Sequence, residues 1–347
     1  MISQNKSTVI KKSGGILFES YNEDAIKLIL DCKIVSKVYK LLYSFPIEIS
    51  KDLYTQACKI AWDKIFDLNQ DFFITSILDS NQNLFDSSMY SSQVLKDAIA
   101  DTFRKKYAQR PNLSKEGPVK LRLVLENNIV YIYIAMTTSL GERGYRHTSY
   151  EFSIKENLTA GLLRVFNSQS KYFQDIFCGS GTLIFEEYLR KNYLPAQYKK
   201  ILNNEQFLFE DLTFFKKDPY LIKNFQKYKE EFLENINTHQ NSFFFEGSDI
   251  QTQHFANQSL FFKNSNIKFI EQPFQKARIK GDIFSNIPYK NFAHTKEVFS
   301  IKSPYKVGFI CSFEQSKALQ REHKSFFFKN GPLKCVLITF KSDSSAR

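Results

Sequence analysis

The hydrophobic pattern of the N-terminal part of the chain predicts both helices and strands. Apolar residues three and four positions apart predict one helix over 50–65 and a second over 93–107, whose last turn is basic. Residues 119–125 alternate between apolar and charged positions, a turn follows, and residues 129–134 run back, which is typical of a hairpin. The N-terminal half is therefore predicted to be α+β.

From about residue 150 the pattern changes to helices that alternate with short apolar runs. An amphipathic helix is predicted over 155–166, and the charged, aromatic segment 191–241 is expected to be helical and partly exposed. Buried strands are predicted at Tyr172–Phe177, Phe243–Gly247, Ile267–Ile270, Ile283–Asn286, Lys306–Cys311 and Cys335–Phe340. This alternation predicts a mostly parallel sheet covered by helices.

The most specific motif is the segment Asp175–Thr182, which reads Asp-Ile-Phe-Cys-Gly-Ser-Gly-Thr. It leads from a predicted strand through a glycine-containing loop into a helix predicted over 183–190. Glycines allow positive φ angles and let a ligand approach the backbone N–H groups at a helix N-terminus. The motif is neither a dinucleotide fingerprint nor a P-loop. Its composition favours a nucleotide-binding turn over a glycine turn that only packs a helix.

Two further motifs follow later strands. Asp249 stands where an acidic residue of a doubly wound fold can accept both ribose hydroxyls, although such a residue can also cap a helix. Asn286, Pro288 and Tyr289 end another strand. The Asn oxygen and a neighbouring backbone carbonyl can accept the hydrogens of an exocyclic amine, and the Tyr ring can stack on the base. A base within a helix would have to be flipped out to reach such a site.

Charge and cysteine content narrow the partners and the compartment. The formal net charge of +12 suits a polyanionic partner such as nucleic acid. The five cysteines form no CxxC pair, which argues against a zinc site and favours a reducing compartment. The first residues lack the apolar region of a secretory signal, and no apolar run approaches the roughly 20 residues that span a bilayer. A cytoplasmic protein without a metal and without a membrane partner is expected.

These three motifs, in this order, resemble those of the RNA guanine-N2 methyltransferases that join a THUMP RNA-binding domain to a Rossmann-like methyltransferase domain. The resemblance is greatest to the bacterial 23S rRNA enzymes, and it extends over nearly the whole chain. Further similar segments are Asp52–Tyr54, Lys96–Ile99, Arg110–Pro111, Ser139–Arg146, Lys155–Leu158, His323–Lys324 and Asn330–Cys335.

The resemblance implies the fold class: an α+β N-terminal THUMP/ferredoxin-like region followed by an α/β Rossmann-like class I domain that depends on S-adenosylmethionine (SAM). It implies a shortened ferredoxin-like region over 1–45 and a THUMP domain over 46–138. A linker over 139–154 and the methyltransferase domain over 155–347 would follow.

The resemblance also implies residue roles. The residues that would hold SAM are Asp175, Phe177, Cys178, Gly179, Ser180, Gly181 and Thr182, with Asp249 on the ribose and a contribution from Asn157. Asn286, Pro288 and Tyr289 would hold the guanine amine. The implied partner is RNA, with rRNA favoured and tRNA as the alternative. The N-terminal domain would grip it through phosphates, with Lys105, Lys106 and Arg110 as candidate contacts.

The sequence also departs from the family pattern. The family's Asn-Pro-Pro-Tyr-Gly appears here as Asn286-Ile287-Pro288-Tyr289-Lys290, and Glu271-Gln272-Pro273 stands where an acid that binds the adenine amine is expected. A non-catalytic RNA-binding paralogue therefore stays open as an alternative. A DNA adenine methyltransferase is a second alternative, because an Asn-Pro-aromatic motif serves any exocyclic amine.

Overall fold

The computed structural model divides the chain into two compact units. The first comprises Met1–Ile29, Lys37–Ser139 and Asn204–Phe232, and the second comprises Leu30–Ser36, Leu140–Asn203 and Leu233–Arg347. The residues that the structure describes are 9–12, 14–145, 154–238, 242–251, 266–289, 292–319 and 322–340. Arg146 and Lys290, which belong to motifs quoted above, lie outside them. The domain boundaries inferred from the sequence stay predictions.

The first unit contains a four-stranded sheet and a separate two-stranded hairpin. Its strands are β1 Ile10–Lys12, β2 Gly15–Leu17, β3 Tyr39–Pro46, β4 Phe72–Leu78, β5 Val119–Glu126 and β6 Ile129–Ala135. The sheet has the order β3-β6-β5-β4, with only β4 and β5 parallel. Alternate residues of β5 are buried, as their apolar–charged alternation requires, so the predicted hairpin of β5 and β6 is confirmed.

Two of the helices in this part of the chain have other bounds than the sequence predicted. The helices are α1 Asn22–Asp31, α2 Ser50–Ala57 and α3 Ser88–Tyr107. The helix predicted over 50–65 ends at Ala57, because the buried indole N–H of Trp62 donates to the Ala57 carbonyl (2.9 Å) and a 3-10 turn follows. The helix predicted over 93–107 begins earlier, because the Ser87 hydroxyl accepts the Tyr90 backbone N–H and caps it.

The second unit is built on a seven-stranded sheet. Its strands are β7 Tyr172–Asp175, β8 Phe244–Asp249, β9 Ile267–Glu271, β10 Asp282–Asn286, β11 Val307–Ser312, β12 Lys324–Asn330 and β13 Leu333–Phe340. The order is β12-β13-β11-β10-β7-β8-β9, and the five strands from β11 to β9 are mutually parallel. Only β13 runs against its neighbours. The mostly parallel sheet is confirmed, while β12 was not predicted.

The helices of this unit are α4 Glu156–Phe166, α5 Thr182–Lys191, α6 Tyr198–Leu202, α9 Phe292–Phe299 and α10 Phe313–Ser316. Between α6 and β8 lie α7 Thr213–Lys216 and α8 Pro219–Thr238, and α7 and most of α8 belong to the first unit. Phe166 of α4 packs on Phe284 of β10 with ring centroids 4.7 Å apart, over Gly308. The segment 191–241 is largely helical as expected. It also buries the phenylalanines Phe207, Phe209, Phe215 and Phe225 against one another.

None of the helices in the described ranges is long and apolar enough to cross a membrane. The same residues contain no group of three or more His, Cys, Asp or Glu placed to hold a metal ion. All five cysteines are free thiols.

Candidate active site

The three sequence motifs meet at one edge of the seven-stranded sheet. Strands β8, β7 and β10 are neighbours and run parallel, so their carboxyl ends lie side by side. Asp249 is the last residue of β8, Asp175 of β7 and Asn286 of β10. Ligands of open α/β sheets bind at this carboxyl edge. The structure therefore brings together the residues that the motifs singled out.

The glycine loop between β7 and α5 leaves its backbone open to a ligand. Gly179 and Gly181 have φ angles of +47° and +78°, and Gly181 is the N-cap of α5. Both angles lie in the left-handed region that favours glycine. A Cβ placed on Gly179 would meet no atom within 4 Å. The backbone at Gly179 is therefore sterically open beside the N-terminus of α5, as expected of a nucleotide-binding turn. The Gly181 N–H itself donates to the Cys178 carbonyl (2.7 Å).

The side chains of the loop mostly stabilise the turn itself. The Ser180 and Thr182 hydroxyls lie 3.1 Å apart, and the Phe177 ring packs on Phe274 with centroids 5.0 Å apart. Cys178 is buried against Gly247, and burial raises the pKa of its thiol well above the usual value. A thiol held neutral in this way is a packing group and not a nucleophile.

Asp249 connects strand β8 to the loop. Its Oδ2 accepts the Gly179 backbone N–H (2.9 Å), and its Oδ1 accepts the Gln251 N–H (3.1 Å). The carboxylate is half-buried, and each oxygen has a second lone pair to offer. Glu271 ends β9 in register with Asp249 and is exposed. An acidic group thus lies at the same edge, in the segment where the family pattern has its acid.

Asp175 is a buried carboxylic acid that links the loop to the third motif. Its Oδ1 accepts the Phe177 N–H (3.2 Å), and the Ser285 hydroxyl hydrogen-bonds to the same carboxyl group. Ser285 Oγ in turn accepts the Ile176 N–H (2.8 Å). Burial, together with the charge of Asp249, raises the pKa of Asp175 to about 7. Ser285 immediately precedes Asn286, so the loop and the third motif are joined by hydrogen bonds.

The third motif contains a polar atom without a partner. The Oδ1 of Asn286 is buried and forms no hydrogen bond with the described residues. Such an atom costs free energy unless a ligand satisfies it. Pro288 is exposed and Tyr289 is half-buried.

The hydroxyl of Tyr289 contacts the hairpin formed by β12 and β13. The thiol of Cys335, in β13, lies 3.8 Å from this hydroxyl. Burial raises the pKa of the Tyr289 phenol, while hydrogen bonding from the Asn330 and Asn286 side chains works against this rise. Asn330 and Cys335 lie in a segment that the sequence connected to the family but not to the site.

Asn157 is positioned differently from the other candidates. It lies near the start of α4, where its Nδ2 donates to the Ile34 carbonyl (3.4 Å). The hydrogen bonds that the structure describes do not connect it to the loop or to Asn286. A role for Asn157 in cofactor binding therefore stays a prediction.

Sequence reasoning missed two residues that support the site. Ser285 is adjacent to Asn286, and its position inside a buried strand was the available signal. Gln315 is fully buried, and its Nε2 donates to the Pro288 carbonyl (3.0 Å). The spacing Ser312-x-x-Gln315, which is that of a capping box, could have placed it at a helix start beside the site.

Two family models match consecutive parts of the chain. Residues 50–135 match the THUMP domain, and residues 143–300 match the RMKL-like methyltransferase domain. The resemblance inferred from the motifs is thereby confirmed for both domains, and so is the fold class.

Curated relatives align with nearly the entire chain. It is 28% identical to Ribosomal RNA large subunit methyltransferase K/L of Buchnera aphidicola subsp. Acyrthosiphon pisum, over 99% of this chain and 52% of that protein. It is also 28% identical to the protein of the same name from Pseudoalteromonas translucida, over 97% of this chain and 50% of that protein. The chain therefore spans about half the length of the curated relatives that it matches.

Solved structures share the fold. SMU.472, crystallised as a complex with SAH, has a TM-score of 0.78 at 21% identity, covering 97% of this chain and 92% of that one. TrmN from Thermus thermophilus has a TM-score of 0.65 at 12% identity, covering 94% and 89% respectively.

Proposed function

This chain belongs to the proteins that join a THUMP domain to an RMKL-like methyltransferase domain, and we propose that it transfers a methyl group from SAM to the N2 amine of a guanine in RNA. The observation that carries the proposal is the buried, unpartnered Oδ1 of Asn286 at the carboxyl end of β10. An acceptor held in this state is suited to a ligand that brings an N–H group.

The residues present fit SAM as the cofactor. No side chain or neighbouring atom of the described residues obstructs the backbone at Gly179, and Asp249 ends the adjacent strand with acceptor capacity for ribose hydroxyls. The half-buried carboxylate of Asp249 places negative charge at this edge, which suits a cationic sulfonium. SAM supplies a methyl group on a good leaving group, so the protein has to bind and orient the reactants.

The protein residues then have defined tasks. Asn286 Oδ1 accepts one hydrogen of the exocyclic amine and so orients its nitrogen, and Tyr289 offers a ring face to the base. The hydrogen bonds from Ser285 to Asp175 and from Ile176 to Ser285 hold the loop and the amine-binding motif in one arrangement. A positioned hydrogen bond of this kind contributes roughly 10²–10³ in kcat.

RNA is the proposed partner, and large-subunit rRNA the proposed substrate. The THUMP match, the net charge of +12 and the names of the relatives support it. Lys105 and Arg110 are exposed, whereas Lys106 forms an ion pair with Asp63. Of the three candidate phosphate contacts, Lys105 and Arg110 are therefore favoured, because the charge of Lys106 is already paired.

The test is the variant Asn286→Ala. Methyl transfer from labelled SAM to RNA should fall at least 100-fold, while SAH binding measured by calorimetry stays within about twofold of the wild type. Asn81→Ala, which changes an exposed Asn in the first unit, is the control and should keep full activity. An Asn286→Ala variant with a wild-type rate would contradict the proposal.

A further inference from the structure

The side chain of Gln315 uses its polar atoms on three different elements. Gln315 lies in α10, the short helix that directly follows β11, and it is fully buried. Its Oε1 accepts the Ser312 backbone N–H (3.0 Å), and its Nε2 donates to the Pro288 carbonyl (3.0 Å) and to Thr295 Oγ1 on α9 (3.1 Å). A buried amide with these bonds has a fixed position.

The Ser312 N–H is the donor that would otherwise extend the sheet. In the parallel pair β10–β11 the Ile283 N–H donates to Lys306 and the Ile287 N–H donates to Ile310. In a parallel ladder, a residue whose N–H donates to the carbonyl of one residue on the neighbouring strand accepts, at its own carbonyl, the N–H of the residue two positions further along that strand. The Ile287 carbonyl would therefore accept the Ser312 N–H. Gln315 takes that N–H instead, and the ladder ends one bond early.

Because the Ser312 N–H donates to Gln315, the hydrogen bonding of the backbone carbonyls that follow Asn286 changes. The Ile287 carbonyl accepts no hydrogen bond from the residues that the structure describes, and neither does Asn286 Oδ1. The Pro288 carbonyl, in contrast, is occupied by Gln315. The oxygens of Asn286 and Ile287 are buried acceptors in consecutive residues. An exocyclic amine carries two hydrogens, one for each of them.

We propose that Gln315 is a positioning residue for methyl transfer: by binding Ser312 and the Pro288 carbonyl, it keeps the Ile287 carbonyl free to accept the second amine hydrogen. The inference rests on the proposed function, since it names the residue that positions the backbone of the same site. Gln315 contacts neither reactant and acts through the backbone of the 286–288 segment.

The experiment compares Gln315→Met with Thr295→Val in the full chain. Gln315→Met keeps the volume but releases the Ser312 N–H toward Ile287, so kcat at saturating RNA and SAM should fall at least tenfold. Thr295→Val removes the bond from the same amide to α9 but leaves the bonds to Ser312 and Pro288, and it should keep kcat within about twofold. Dissociation constants for SAH and for RNA should stay within about twofold in both variants, since neither residue is proposed to bind a reactant.

Gln315→Asn supplies a second variant if the first fails to fold. It retains the amide but is one methylene too short to reach both Ser312 and Pro288, so it too should lose kcat at least tenfold. Wild-type kcat in a folded Gln315 variant would overturn the inference, and so would an equal loss of kcat in Thr295→Val, which would indicate general packing. In both cases an active wild-type protein would leave the proposed function standing. A wild-type protein that binds SAH but methylates no RNA would overturn both.

Discussion

Replacing the buried acid Asp175 with Asn tests the electrostatics of the cofactor loop. Asp175 is 1% exposed, and burial raises the pKa of its carboxyl group from 3.8 to about 7. Asn preserves the size of the side chain and an oxygen that can accept from Phe177 and Ser285, but it cannot ionise. The variant therefore removes one titration from the folded state.

The sign and size of the effect follow from proton linkage. Because the folded pKa lies above the unfolded one, the native state binds more protons between pH 4 and 7, and the stability of the wild type falls as the pH rises through that window. The rise of the pKa from 3.8 to about 7 corresponds to about 4 kcal/mol in total, of which somewhat more than half falls between pH 5 and pH 8. The Asn variant cannot ionise and does not lose this stability. The free energy of unfolding of the variant minus that of the wild type should therefore increase by that amount from pH 5 to pH 8.

The assay is urea unfolding of both proteins at pH 5, 6, 7 and 8, with the difference in free energy of unfolding plotted against pH. Asp52→Asn is the control. Hydrogen bonds from the Ile49 and Glu48 backbone N–H groups lower the pKa of Asp52. Because this pKa is lowered, the ionised Asp52 stabilises the fold, and that contribution is lost only as the pH falls below 5. The free energy of unfolding of the control should therefore differ from that of the wild type by a constant amount above pH 5.

A constant difference between Asp175→Asn and the wild type from pH 5 to pH 8 would refute the reasoning. It would mean that the Asp175 carboxyl is already ionised in the folded protein at pH 5.

Two further predictions concern the buried ion pair and the RNA contact. Arg143→Met should lower the free energy of unfolding by about 3–5 kcal/mol, because it leaves the fully buried Glu186 carboxylate without its guanidinium; an unchanged melting temperature would contradict this. The affinity for rRNA fragments, measured by filter binding, should fall linearly with salt on a log–log plot, because phosphate contacts release counterions; an affinity that is independent of salt would exclude a phosphate-dominated interface.

The sequence predicted the elements whose side-chain pattern is regular. Strands β5 and β6 alternate strictly, and four of the five parallel strands of the second unit are short, largely buried runs. The strand predicted as buried at Ile267–Ile270 forms, but as β9 it lies at the sheet edge and has no fully buried residue. Strand β3 was missed because a bulge between Leu41 and Tyr43 shifts its register and breaks the alternation. Strand β12 was missed because it is an edge strand in which Phe326 and Phe327 are both exposed. Neither face of the strand is consistently buried, so its sequence shows no alternation of apolar and polar residues.

The candidate site was predictable where its residues are close together in the chain. The loop before α5 and the motif after Ser285 each carry their chemistry within eight residues, so their pattern survives in one dimension. The contacts from Gln315 to Pro288 and from Cys335 to Tyr289 join residues 27 and 46 positions apart. No local pattern encodes such pairs, because they arise from the order of strands in the sheet.

The most direct test of the account is the identity of the methylated nucleoside. The purified protein is incubated with methyl-labelled SAM and unmodified large-subunit rRNA or tRNA, and the RNA is digested to nucleosides. Label in N2-methylguanosine from the rRNA is the predicted result. Label in N2-methylguanosine from tRNA alone would correct the substrate, whereas label in another nucleoside, or none although SAM binds, would contradict the proposed reaction.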